Sequence, residues 1–208
     1  ATVARALLGQ RADLEEERIA FMLPAGADYA AVQWGIWRAG AIALMRHLVT
    51  TCGARRIIFV GGLETNVDTI ARYEAYRQVL GEAGLPFSSD DVYHLDYQYD
   101  SAYELATQRL RTWLGPEACV FAANDEMAAG IVAAAATLGV SVPQDLAVVG
   151  FDDTRVARMT RPPLTTVRVP MSRMGARAIE LLCQRIADPQ LPPVRVPLQP
   201  ELIVRESC

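Results

Sequence analysis

Short apolar runs that alternate with segments of helical periodicity constrain the fold of this chain most strongly. Four such runs occur in order: RRIIFVGG, DVYHLD, ACVFAAND and LAVVGFDD. Apolar runs of this length are typical of strands buried on both faces of a sheet. The segments between them are VDTIARYEAYRQVLGEAGLP, SAYELATQRLRTWLG and EMAAGIVAAAATLGVSVP, and they favour helices. The alternation predicts an α/β fold in which a parallel sheet is flanked by helices.

The last fifty residues depart from this alternation. RPPLTTVRVP is extended and rich in proline, so we expect it to lie outside the centre of a sheet. MSRMGARAIELLCQRIA predicts an amphipathic helix over residues 171–187, which Asp188 and Pro189 end. VRVPLQPELIVRES then returns to extended chain, and this excursion indicates a second layer or lobe.

Composition and charge narrow the class of protein. The chain has 208 residues, 51% of them hydrophobic, which is enough to form a substantial core. The net charge is -4, so no overall positive field attracts nucleic acid. No apolar stretch is long enough for a membrane span and no secretory signal is visible, so we expect a cytoplasmic protein.

The cysteines are spread along the chain without a C-x-x-C pair. They are Cys52, Cys119, Cys183 and Cys208. With this spacing and only two histidines, neither a zinc site nor a disulfide framework is expected. Cys119 and Cys183 lie in apolar runs, so we expect both to be buried thiols.

Polar side chains follow three of the predicted strands, where open parallel sheets bind their ligands. They are Asp96 and Tyr97, then Asn124 and Asp125, then Asp152 and Asp153. With Arg72 from the first helix, they could bind a polyhydroxyl ligand through several hydrogen bonds.

Each of these residues also has a structural interpretation. Asn124 or Asp125 could cap the following helix, and Asp153 with Thr154 could form a turn. Arg72 could be a solvated charge on a helix, and Tyr97 and Tyr99 could be packing residues.

Motifs for catalysis are not found. The sequence has no G-x-S-x-G elbow, no H-E-x-x-H helix and no Walker loop. His47 and His94 have no nucleophile beside them and are interpreted as structural. We therefore expect a protein that is not an enzyme, with no catalytic residue, cofactor or metal.

Three motifs carry a resemblance to a known family. FAANDEMAAG, VPQDLAVVGFDD and PPLTTVR occur in this order and at a spacing that resembles the effector domain of LacI/GalR-type transcription regulators. HLVTTCGARRIIFVGG and ELIVRES extend the resemblance to about residues 41–207. It implies a periplasmic-binding-protein-like (type I) fold with two lobes, usually dimeric, whose effector is a sugar-like small molecule.

The resemblance also assigns ligand contacts. The matching positions are Arg72, Tyr97, Asn124 and Asp152, with Met171 near the crossover between lobes; the strand-end argument adds Asp125. Ala75 and Ala54 stand where the family usually has other residues.

The front of the chain differs from that family. ERIAFMLPAGADYAAVQWGIWRAGAIAL resembles an early strand-helix unit of acyl-CoA synthetases, without their catalytic motifs. We therefore expect two parts, 1–44 and 45–208, with a C-terminal lobe and an incomplete N-terminal lobe. The opening ATVARALLG is similar to the family's DNA-reading helix, but DLEEER follows it and no first helix precedes it.

These observations lead to one functional hypothesis and several alternatives. The hypothesis is a truncated or chimeric domain of a LacI-type regulator that binds an effector weakly and forms a homodimer. It lacks a complete DNA-binding headpiece, so DNA is a partner only of the intact parent regulator, and no membrane is involved. The alternatives are a stand-alone sugar- or solute-binding protein, a remnant of an adenylating enzyme, and a non-functional folded fusion that includes a synthetase fragment.

Overall fold

A computed structural model describes residues 27–208, apart from residues 116, 193, 195 and 197, and their side chains from residue 38 onward. The expectations for ATVARALLG and for most of the synthetase-like segment lie outside the described residues. The chain divides into two compact units. The larger comprises Gln33–Pro170 and Pro197–Cys208, and the smaller comprises Ala1–Val32 and Met171–Val196.

The larger unit is built on a parallel sheet of four strands. Their order across the sheet is β2-β1-β3-β4, and their bounds are β1 Arg56–Gly61, β2 Val92–His94, β3 Ala118–Ala122 and β4 Ala147–Val149. The register aligns Ile58 with Val120 and Val120 with Val148, and these side chains are fully buried. The predicted α/β fold with a parallel sheet flanked by helices is thereby confirmed.

Helices alternate with the strands along the chain. Their bounds are α1 Ala27–Thr50, α2 Val67–Glu82, α3 Tyr99–Trp113, α4 Asp125–Thr137 and α5 Arg155–Met159. The three helices predicted between the strands are present as α2, α3 and α4, while α1 precedes β1 and the short α5 follows β4. A 3₁₀ turn, Ser89–Asp91, precedes β2. The packed faces bury large apolar side chains such as Tyr76, Trp113 and Ile131, so the core lies between the helices and the sheet. Ala54 and Ala75 are also fully buried.

The proline-rich segment forms a strand of a second, two-stranded sheet. It contains β5 Thr166–Arg168, which pairs antiparallel with β6 Glu201–Ile203. On its other side, Thr165 and Arg168 form parallel bridges with Val149 and Asp152. As expected, this segment lies outside the four-stranded sheet, and its prolines flank the strand and leave the N–H groups of the strand available.

Two of the cysteines form a disulfide that the sequence does not predict. Cys52 and Cys208 are bonded, with a Cα–Cα distance of 6.2 Å across a sequence separation of 156 residues. The expectation of no disulfide rested on spacing along the chain, which says nothing about distance in the fold. Cys119 is buried as predicted, whereas Cys183 is partly exposed.

The smaller unit contains the predicted amphipathic helix, α6 Met171–Ala187. None of its side chains is buried, and Met171 and Ile186 are among its exposed apolar residues. Within the described part of the chain, no helix is long and apolar enough to cross a membrane.

Candidate functional site at the strand ends

The predicted polar residues of the larger unit meet at one edge of the sheet. Because β1–β4 are parallel, the residues that follow them emerge at the same edge. Tyr97 follows β2, Asn124 follows β3 and Asp152 follows β4, while Arg72 reaches this edge from the second turn of α2.

Arg72 and Asp152 form the charged centre of this edge. A guanidinium nitrogen of Arg72 lies 3.4 Å from Oδ1 of Asp152. The guanidinium also stacks 4.3 Å from the centre of the Phe151 ring, which is a favourable cation–π distance. Only 3% of the Arg72 side chain is exposed, against 37% for Asp152. The guanidinium of Arg72 is therefore buried and fixed in position rather than solvated. Of the two charged groups, the Asp152 carboxylate is the one that solvent reaches.

The charge state of Asp152 follows from two opposing effects. Burial raises the pKa of Asp152, and the positive charge of Arg72 lowers it, with burial the larger effect. The backbone of Asp152 has a φ of 102°, a conformation that costs energy for any residue with a Cβ. A carboxylate held in this way is preorganised for contact with a ligand.

Tyr97 links α2 to the second and third strands. Its hydroxyl lies 2.6 Å from the hydroxyl of Thr69, and its backbone has a φ of 68°. Its ring packs so closely against Gly62 that a Cβ there would overlap it. Tyr97 is thus held in place by packing as well as by a hydrogen bond, and burial raises its pKa.

Asn124 has the capping role that the sequence left open, together with a second contact. Its Oδ1 accepts a hydrogen bond from the N–H of Met127 at 2.9 Å, which caps α4. Its Nδ2 donates to the main-chain oxygen of Tyr97 at 3.0 Å. Asn124 therefore fixes the position of Tyr97 while its own side chain is held at the edge.

Asp125 lies beneath this edge and is fully buried. One carboxylate oxygen accepts hydrogen bonds from the N–H and hydroxyl of Thr154, and the other accepts one from the hydroxyl of Thr166. Burial raises the pKa of Asp125 to about 6. These hydrogen bonds connect the start of α4 to the segment before α5 and to β5. Asp125 therefore stabilises the arrangement of the elements that carry the site.

The carboxylate of Asp153 forms ion pairs with three arginines, so Asp153 is more than a turn residue. Its side chain is 1% exposed and accepts from Arg158, Arg168 and Arg205, with Arg168 Nε at 2.7 Å. Burial alone would raise the pKa of Asp153, but the hydrogen bonds from Arg205 and Arg168 outweigh it and lower that pKa. These ion pairs hold β5 and the chain after β6 beside the end of β4.

The remaining predicted residues lie around this edge or outside the larger unit. The carboxylate of Asp96 accepts from Ser101 Oγ at 2.5 Å and from the N–H of Gln98, which lowers its pKa and fixes the start of α3. Nδ1 of His94 lies 3.0 Å from the main-chain oxygen of Gly62, a structural contact. The ring of Tyr99 stacks on Tyr103. Met171 begins α6 in the smaller unit and is 61% exposed.

Two further residues of this edge were not predicted. Thr69 is 1% exposed and hydrogen-bonds Tyr97, and Phe151 stacks against Arg72. Thr69 lies one helical turn before Arg72, so the i, i+3 spacing could have indicated it. Phe151 sits inside an apolar run and gives no such signal.

Together these side chains combine a cation, a carboxylate, aromatic rings and hydroxyl groups. Asp152 and Tyr97 are partly exposed, whereas Arg72, Thr69 and Phe151 are buried. Arg72 donates hydrogen bonds and Asp152 accepts them from adjacent positions. A ligand with neighbouring hydroxyl groups needs both functions at this spacing, since each hydroxyl can donate and accept.

Comparisons with known proteins identify similar chains. The family model described as a periplasmic binding protein-like domain matches residues 45–208. The transcriptional repressor PurR of Pasteurella multocida is 34% identical over 155 residues, which cover 74% of this chain and 46% of that protein. The chain thus spans about half the length of the curated relatives it matches.

Solved structures agree with the family model. A putative LacI-family transcriptional regulator from Sanguibacter keddieii has a TM-score of 0.74 and 34% identity, covering 83% of this chain and 64% of that one. The transcriptional regulator CelR in complex with cellobiose has a TM-score of 0.72 and 34% identity, covering 85% of this chain and 52% of that one.

Proposed function

This chain belongs to the periplasmic binding protein-like domain family, as the effector-binding domain of a LacI-family transcription regulator, and on that premise we propose that its effector is a sugar-like small molecule bound at the strand-end site. The residues proposed to contact the effector are Arg72, Tyr97 and Asp152. Asn124 and Asp125 position them, and the role of Met171 stays a prediction from the family resemblance.

The pairing of Arg72 with Asp152 is the observation that supports this proposal. The guanidinium is buried against Phe151 and cannot turn away, so its donors have a fixed direction. The carboxylate beside it remains reachable by solvent and can accept hydrogen bonds from a second hydroxyl of the same ligand. Tyr97, which is partly exposed, adds an aromatic face that sugar-ring C–H groups can contact, while the buried Phe151 holds Arg72 in place. The similarity to the cellobiose-bound regulator favours a carbohydrate over other polyhydroxyl ligands.

Calorimetric titration with a panel of monosaccharides, disaccharides including cellobiose, and nucleosides tests the proposal. We expect saturable heat with at least one carbohydrate. Asp152→Asn should weaken that binding at least about tenfold, or about 1.4 kcal/mol, because the amide cannot replace a charged acceptor. Asp90→Asn is the matched control, since Asp90 is an exposed aspartate before β2, at the opposite end of that strand from the site.

Two outcomes would overturn the proposal. If nucleosides bind and no carbohydrate does, the effector belongs to a different chemical class from the one proposed. Carbohydrate binding that Asp152→Asn leaves unchanged would move the site away from the strand ends.

The properties of the whole regulator are part of the same proposal. We propose a homodimer that responds to its effector without catalysing a reaction, and whose parent regulator binds DNA. Sedimentation velocity tests the dimer. The resemblance of residues 1–44 to acyl-CoA synthetases has no support among the compared proteins and stays a prediction, as does the cytoplasmic location.

A further inference from the structure

His47, Cys52 and Cys208 form a cluster of metal-ligating side chains that the effector site does not use. One ring nitrogen of His47 and the two sulfur atoms all lie within 4.8 Å of one another. All three residues belong to the larger unit and are partly exposed, so small molecules can reach them. The two cysteines are joined as a disulfide.

The end of α1 fixes two members of the cluster. The main-chain oxygen of His47 accepts hydrogen bonds from the N–H groups of Thr51 and Cys52, at 2.9 and 3.2 Å. Gly53, with a φ of 73°, then turns the chain away from the helix, which a residue with a Cβ does at a cost. Cys52 is therefore held near His47 by the helix end, independently of its disulfide with Cys208.

Cys208 is held by the residue before it. Ser207 is fully buried. Its hydroxyl donates to the main-chain oxygen of Val148 at 2.5 Å and accepts from the N–H of Thr165 at 2.9 Å. This anchor is independent of the sulfur atoms, so Cys208 stays close to Cys52 when the disulfide is reduced.

The imidazole of His47 has a ring nitrogen available to a metal ion. Its Nε2 is buried and has no hydrogen-bond partner among the residues that the structure describes. A buried polar atom without a partner is costly unless a ligand occupies it.

We propose that, in the reduced protein, His47, Cys52 and Cys208 bind one thiophilic divalent metal ion, Zn²⁺. Two thiolates and one imidazole are a ligand set that zinc prefers. Ligands at zinc–sulfur and zinc–nitrogen distances of about 2.3 and 2.0 Å lie about 3.5–3.8 Å apart around a tetrahedral ion. The sulfur atoms must therefore separate after reduction, while the distance from the ring nitrogen to each sulfur needs to shorten by no more than about 1.3 Å.

The two forms of the cluster exclude each other, which makes metal binding dependent on redox state. Reduction by two small-molecule thiols transfers two electrons to the disulfide, giving two protein thiols and one small-molecule disulfide. Zn²⁺ then displaces one proton from each thiol and accepts the His47 lone pair. Oxidation by a small-molecule disulfide reverses the exchange and releases the ion.

Titration of the reduced, chelator-treated protein with Co²⁺, a spectroscopic substitute for Zn²⁺, tests the site. We expect thiolate-to-cobalt charge-transfer absorption that saturates at one ion per chain and disappears when Zn²⁺ is added. The same protein with its disulfide intact should show none of this absorption. Cys208→Ser should abolish it, and His47→Gln should weaken binding at least about tenfold. Cys183→Ser is the matched control and should bind normally, because Cys183 is a partly exposed free thiol in the smaller unit.

The comparison of reduced with oxidised wild-type protein tests the proposal even where a variant does not fold. No charge-transfer absorption in the reduced wild-type protein would overturn the proposal, and so would absorption of equal strength in the oxidised protein. If a folded His47→Gln variant bound Co²⁺ with unchanged affinity, His47 would not be a metal ligand. None of these outcomes depends on effector binding, so the two proposals are tested separately.

Discussion

Adjacent aspartates at the end of β4 perform different tasks because their side chains lie in different surroundings. Asp152 is partly exposed beside one guanidinium, whereas Asp153 is buried among three. Both have positive φ values, 102° and 52°, and these send the side chains in directions that a regular strand does not allow. The same turn therefore provides both a solvent-accessible carboxylate and a buried carboxylate that forms ion pairs with three arginines.

Asp153→Asn should reduce the free energy of unfolding by about 2 kcal/mol at neutral pH, because it removes the charge that three arginines share. The pKa of Asp153 is lowered in the folded protein, so its contribution is present at pH values above the unfolded pKa. That contribution is lost as the pH falls through the folded pKa. Urea unfolding at several pH values measures this.

The comparison is with Asp90→Asn, which alters an exposed aspartate before β2. We expect that variant to match the wild-type protein within about 0.5 kcal/mol. If Asp153→Asn lost no more stability than Asp90→Asn, the ion pairs between Asp153 and the three arginines would not stabilise the folded protein.

At the scale of elements, the close approach of α3 and α4 depends on Gly130. A Cβ at this position would overlap the main-chain oxygen of Tyr99 and lie 3.0 Å from the nitrogen of Tyr103. Both atoms belong to the backbone of α3 and cannot rotate away. Gly130 therefore sets the distance between the helices, and through Asn124 and Asp125 at the start of α4 it affects the site.

Gly130→Ala should lower the free energy of unfolding by about 1–2 kcal/mol. The overlap costs more than the gain of about 1 kcal/mol that alanine brings to a helix. Gly81→Ala is the matched control, since Gly81 lies in α2 with no atom within 4 Å of the added Cβ. Thermal unfolding should show a small gain for Gly81→Ala, and a gain for Gly130→Ala as well would contradict the packing argument.

Elements are also where sequence patterns succeed best. The strand run RRIIFVGG and the helix over residues 171–187 were predicted almost to the residue, because hydrophobic periodicity is a local property. The proline-rich segment lies outside the four-stranded sheet, as predicted, but its pairing with β6 was not predicted because β6 is distant in the sequence.

At the scale of the whole molecule, the disulfide joins the end of α1 to the chain after β6. It closes a separation of 156 residues, and a loop of this size restricts the unfolded chain strongly.

Reduction in the presence of a chelator should therefore lower the free energy of unfolding by about 2–4 kcal/mol. Cys208→Ser should show the same loss without reductant, while Cys183→Ser should remain as stable as the wild-type protein. Thermal unfolding with and without reductant measures these differences. A reduced protein of unchanged stability would show that the anchor at Ser207 alone is sufficient.

The sequence by itself determined the α/β class, the order of elements and the edge of the sheet at which polar residues gather. These follow from the period of apolar residues and from the rule that parallel strands end at one edge. Only the tertiary structure decided which side chains meet there. Arg72 and Asp152 lie 80 residues apart, Asp153 and Arg205 lie 52 apart, and Cys52 and Cys208 lie 156 apart. No local pattern encodes such pairs, because their distances are set by how the whole sheet and its helices pack.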